Sequence, residues 1–174
     1  MKKLLTLLLI IITSTAFAQT EVNGVMIKMN ESQDNTFTYK NDTLSVAFKP
    51  AEFFWDIKVN NESTGDFSII WEKCSFIHNG AASKIVFGNT SRLMKNIPIQ
   101  DQEVPTKSFI NRSIFPVEYV NSSSLYPIVS KKYLSKRFEK TAQPDQVKIV
   151  LAVKLGDIIR KYDFNFVLTP KNKS

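Results

Sequence analysis

Residues 53–77 read FFWDIKVNNESTGDFSIIWEKCSFI, and the fold turns on how this stretch is parsed. Phe53, Trp55, Ile57 and Val59 alternate with Asp56, Lys58 and Asn60, the period-2 signature of a strand with one dry face. Phe54 interrupts the polar side. Asn60-Asn61-Glu62-Ser63-Thr64-Gly65 follows as a turn, because asparagine and glycine tolerate positive φ. A second strand is predicted from Asp66 to Ile77. It places Ile70, Cys74 and Phe76 beside Glu72 on one face, and Ile69 and Trp71 beside Lys73 and Ser75 on the other. Bulk on both faces predicts a central strand covered on each side. The stretch thus reads as two strands joined by a polar turn, with Trp71 and Cys74 facing the interior.

The same period runs outward in both directions. Phe37 and Tyr39 alternate with polar residues, then Leu44, Val46 and Phe48 do so up to Pro50, which cannot donate to a sheet ladder. Asn79-Gly80 is a hairpin signal leading into Lys84–Phe87. Residues 88–105 read mostly as loop, and 107–120 as extended pieces broken by Pro116. Ser130–Lys140, SKKYLSKRFEK, is the best helix candidate, with Leu134 and Phe138 four residues apart. Val147, Ile149, Leu151, Val153 and Leu155 form one closing strand, and Tyr162, Phe164, Phe166 and Leu168 another. Gly156-Asp157 turns between them. Many short strands without βαβ alternation predict an all-β fold, an antiparallel immunoglobulin-like β-sandwich with one short helix near 130–140. A small open barrel is the alternative.

The amino terminus, MKKLLTLLLIIITSTAFAQ, has a lysine-led start, an apolar run from Leu4 to Ile12, and Ala16-Phe17-Ala18. That is a bacterial-type signal peptide over residues 1–18, cleaved between Ala18 and Gln19. The apolar run is shorter than the roughly 20 residues a membrane-spanning helix needs. No cysteine follows the cleavage point, so no lipid anchor is expected there. The expected product is one domain over 19–174, periplasmic or secreted, with no transmembrane segment. Cleavage removes Lys2 and Lys3 from 23 basic residues, leaving 21 against 16 acidic residues and a net charge of +5. This is too modest for a nucleic-acid footprint.

Chemistry-bearing residues are sparse. Cys74 is the only cysteine, which excludes an internal disulfide, and reads as a small core residue. A catalytic thiol needs a base, and the only histidine, His78, lies about 13 Å along an extended chain. His78 is expected at a hairpin tip, exposed to solvent. One histidine and one cysteine do not make a zinc spacing. Glu52, Asp56, Glu72, Glu118 and Asp157 are scattered, and glycine-rich phosphate loops and nucleophile elbows are absent. The sequence therefore points to no catalytic, cofactor-binding or metal-binding residues, and to a non-enzymatic protein. The basic cluster Lys131, Lys132, Lys136, Arg137 and Lys140 offers a contact for anionic surfaces such as lipid headgroups, or simply a solvated helix face.

One further pattern spans the central third of the chain: Asn61 and Ser63, then Ile69, Trp71 and Glu72, then Asn79-Gly80, then Gly88, with Ile97-Pro98 and Phe115-Pro116 downstream. It resembles a group of small exported bacterial proteins, many of them lipoproteins. The resemblance implies an immunoglobulin-like β-sandwich and brings no activity with it. The expectation is an envelope-associated binding or accessory module whose partner is a protein or another envelope component. A hydrolase assembled only in three dimensions, or a peripheral protein held on anionic surfaces by Lys131–Lys140, are the alternatives.

Overall fold

The computed structural model describes residues 20–32, 36–120 and 127–171. The expected leader and its Ala18–Gln19 cleavage point lie outside these residues. The described chain is mainly antiparallel β-sheet with one α-helix. Its strands are β1 (Thr20–Val22), β2 (Val25–Met29), β3 (Thr38–Lys40), β4 (Leu44–Pro50), β5 (Trp55–Asn61), β6 (Phe67–Ile69), β7 (Ser75–His78), β8 (Ala81–Phe87), β9 (Gln102–Val104), β10 (Phe109–Pro116), β11 (Asp145–Leu155) and β12 (Ile158–Pro170). The helix α1 covers Lys131–Thr141, as its sequence predicts.

The strands hydrogen-bond in the order β1-β2-β12-β11-β7-β8-β10-β5-β4-β3, with β6 on β11 and β9 on β6. One strand joins the two halves of this order. The first half of β8, Ala81–Lys84, pairs with β7, while Ile85–Phe87 pairs with β10. Through that strand the sheet curls on itself and closes its apolar faces together.

Alternation explains what fills the interior. Leu44, Val46 and Phe48 of β4, and Trp55, Ile57 and Val59 of β5, are buried as their period requires. Phe164, Phe166 and Leu168 of β12 answer them from the opposite layer. The Phe166 ring meets Trp55 edge-on at 4.7 Å and Phe48 at 5.1 Å, and Phe164 lies 4.9 Å from Phe48. Offset and edge-on ring pairs of this kind add about 0.5–1.5 kcal/mol each beyond area burial. Phe53 and Phe54 precede β5 in a bend and stay exposed, so the dry face begins at Trp55.

Two expectations for residues 53–77 are corrected. β5 and the following segment are not a hairpin. β5 pairs with β4 and β10, whereas β6 and β7 pair with β11 in the other half of the sheet. The segment 66–77 is also not one strand, because a 3-10 turn at Trp71–Lys73 splits it into β6 and β7. Packing causes the break. The turn lets Trp71 bury completely, its ring 4.9 Å from Phe87, while Glu72 and Lys73 stay outside. In the region read as loop, Gln102–Val104 forms the short strand β9 on β6.

Cys74 repairs the ladder where that strand breaks. The Ala152 N–H of β11 would face a gap, and instead donates to Cys74 Sγ at 3.3 Å, while the thiol donates to Ile70 O at 3.3 Å. Cys74 is therefore a buried core residue with a hydrogen-bonding task, and burial pushes its thiol pKa up to about 11. Replacing Cys74 with valine keeps the apolar bulk but strands the Ala152 N–H. Urea unfolding should show a loss of about 1–3 kcal/mol. Native Cys74 should react with a maleimide far more slowly than the denatured chain does, and equal rates would contradict its burial.

Candidate functional site

A cluster of charged side chains sits where α1 meets the β7–β8 turn and the start of β11. The β7–β8 turn is tight, with Asn79 at φ 49° and Gly80 at φ 83°, the two left-handed positions of an Asn-Gly type I′ turn. It fixes His78 at the end of β7, across from Val147 in β11. Asp145 opens β11 and is 5% exposed, so its carboxylate needs partners. His78 Nε2 lies 2.9 Å from Asp145 Oδ2, and Arg137 of α1 donates to the same oxygen at 2.8 Å. Asn79 adds a tie to β11 by accepting the Gln146 N–H at 2.8 Å.

Burial works to raise the Asp145 pKa. The His78 hydrogen bond and the charges of Arg137 and His78 outweigh it, and the carboxyl is held below its ordinary value. An ionised carboxylate only accepts, so Nε2 of His78 carries the proton it shares with Asp145. Tyr119 lies within the field of the same charges, and burial raises its hydroxyl pKa.

His78 is thus a half-buried member of a cluster rather than the solvent-facing tip residue the sequence suggested. Neither His78 nor Asp145 stood out by spacing. They are 67 residues apart, and only the β7–β11 register brings them together.

This arrangement ties the helix to the sheet through Arg137 and Asp145. The Cys74 sulfur is committed to Ile70 and Ala152, and the His78 imidazole is held against Asp145. Beside the cluster runs an open groove of about 360 Å³, lined by residues that include Thr141, Gln143 and Gln146.

A larger open groove of about 700 Å³ runs between the turn after β5 and the start of β10. Many of its polar groups already serve the fold. Asn61 Nδ2 donates to Gly65 O and Val104 O, Ser63 Oγ donates to Asn61 Oδ1 and Gly65 O, Glu62 pairs with Lys40, and Ser108 Oγ bonds Pro105 O.

Two of the scattered carboxylates have partners within the fold. Glu72 pairs with Lys84 and accepts the Ile99 N–H, which hold its pKa down, and Asp56 accepts from Ser113 Oγ. Among the described residues no three potential metal ligands gather, and no helix is long and apolar enough to cross a membrane.

The basic segment divides into two roles. Arg137 reaches into the Asp145 cluster, and the Lys131 methylenes lie against Gly24. Lys132, Lys136 and Lys140 are exposed at four-residue spacing, which sets them in a row along α1. Leu134 is the buried anchor, while Phe138, four residues on, is 39% exposed.

No protein-family profile matches the chain, and no curated protein does. Among solved structures, the crystal structure of a protein from Archaeoglobus fulgidus matches over 90% of this chain and 100% of its own. The identity is 8% and the TM-score 0.36, a similarity too slight to bear on fold or function.

Asp145→Asn should cost about 1–3 kcal/mol at neutral pH, because Arg137 and His78 lose their charged acceptor. The sign with pH follows from the lowered pKa. The contribution is complete above the ordinary carboxylate value and disappears as pH falls through the depressed one. Wild type and Asp145→Asn should therefore converge in stability on acidification, read by urea midpoints at a series of pH values.

Proposed function

We propose that this chain is an exported, non-enzymatic β-sandwich module of the immunoglobulin-like kind, serving in the cell envelope by pairing one of its strand edges with an extended segment of a partner protein. The leader-like residues 1–18 and the resemblance of the central third support the export and the class. The two facing aromatic layers support the sandwich.

The observation that carries the binding mode is the open edge of β12. Its two-residue turn, Gly156-Asp157 with Gly156 at φ 59°, makes Leu155 and Ile158 a hydrogen-bonded pair, so even-numbered residues of β12 bond to β11. Odd-numbered residues point their N–H and C=O the other way. Asn165 shows this directly, since its carbonyl accepts the Asn30 N–H and its own N–H donates to Glu31. Pairing with β2 begins only at Phe166. Ile159, Lys161 and Asp163 therefore present their backbone groups outward, with no partner for them among the described residues. Such an edge accepts an added strand through main-chain bonds, with alternate side chains giving specificity.

Proline at 161 tests this reading, because the Lys161 N–H bonds no strand among the described residues. Lys161→Pro should shift stability by no more than about 1 kcal/mol, as for proline on an edge strand. It should also abolish partner capture from envelope extract. In the wild-type complex, amide exchange at Ile159, Lys161 and Asp163 should slow. Capture that survives the substitution, with exchange at these amides unchanged, would refute the edge as the binding site.

A further inference from the structure

The loop between β8 and β9 carries an apolar group that the core does not use. Leu93 is 92% exposed, Met94 55% and Ile97 54%, three large hydrophobic side chains within five residues. Chance exposure of single apolar residues is ordinary, but a cluster projecting from a loop marks a contact surface.

The loop backbone is ordered around them. Thr90 N–H bonds Phe87 O at 2.8 Å, Met94 N–H bonds Ser91 O at 3.0 Å, and Ile97 N–H bonds Met94 O at 3.0 Å. Its far end is fastened to the body, where Lys84 Nζ donates to Ile97 O at 3.3 Å and Ile99 N–H to Glu72 Oε1 at 2.6 Å. Consecutive turns thus hold Leu93 and Met94 out into solvent without needing to be ordered on contact.

Charge decides which partner fits. From Gly88 to Gln100 the chain contains Arg92 and Lys95 and no acidic residue. Glu72 at the base is already neutralised by Lys84 at 2.8 Å. An apolar tip flanked by cations matches the boundary of an anionic bilayer, where acyl chains take the apolar side chains and headgroup phosphates take Arg92 and Lys95. We propose that residues 91–97 are a wedge that inserts into an anionic lipid surface. The cation row Lys132, Lys136 and Lys140 needs no part in this contact. The wedge is also independent of strand addition at β12.

The test is co-sedimentation of the full chain with vesicles of phosphatidylcholine alone or mixed with phosphatidylglycerol. Wild type should bind the mixed vesicles more tightly. Leu93→Ser/Met94→Ser and, separately, Arg92→Gln/Lys95→Gln should each weaken that binding by about tenfold or more, with circular dichroism unchanged. Since residues 1–18 are common to all variants, any contribution from them cancels. The tryptophan of Leu93→Trp should shift its emission to the blue on the mixed vesicles and be quenched by brominated acyl chains. Equal adsorption of wild type and variants, absence of adsorption, or an unshifted, unquenched emission would overturn the proposal. So would capture of a protein through Leu93 and Met94 without lipid binding.

Discussion

The edge-on contact between Phe166 and Trp55, 4.7 Å apart at 84°, joins strands from opposite halves of the sheet order. A flat sheet of these sequences would expose a continuous apolar face to water, and the described residues supply only one α-helix to cover it. Its remaining option is to fold that face onto itself. Phe48, Phe164 and Phe76 close around the same contact, and β8 makes the closure possible by dividing its hydrogen bonds between the two halves. Features outside the core, including the helix, the loops and the open edge, are placed by that curl.

The interior also explains an irregularity that otherwise looks like damage. A single strand from Asp66 to Ile77 would keep Trp71 in a regular pleat, half of whose faces look outward. The 3-10 turn removes it from the pleat and buries it against Phe87, at the cost of an interrupted ladder on β11. A sulfur then takes the role of the missing carbonyl. Cysteine suits the place because it is small enough for the core and can both donate to Ile70 and accept from Ala152. Its raised pKa follows from that burial.

Outside the core, the polar groups work mainly to hold elements in place. Asp145 fastens α1 to the sheet through Arg137, Asn61 fastens β9 to the turn after β5, and Glu72 fastens the β8–β9 loop to the 3-10 turn. Two features stand out among the described residues: the outward backbone groups of Ile159, Lys161 and Asp163, and the exposed apolar side chains of Leu93, Met94 and Ile97 in one loop. The first offers directional hydrogen bonds, the second non-directional burial. A protein strand and a lipid surface are the partners proposed for them on those grounds.

Strand identity was legible in the residues wherever one face is dry: β4, β5, β11 and β12 show the period-2 pattern, and helix α1 and the turns at Asn79-Gly80 and Gly156-Asp157 follow from local chemistry. The loop wedge was in the sequence as SRLMKNIP, but exposure has no periodic signature, so nothing distinguished those apolar residues from buried ones. By itself the sequence determined which residues avoid water and where the chain turns, because both are set within a few residues. Only the tertiary structure decided that β5 and β6 part into different halves, that His78 meets Asp145 across 67 residues, and that Cys74 completes a ladder. Those outcomes depend on register between distant strands, and register is chosen by the packing of the whole core.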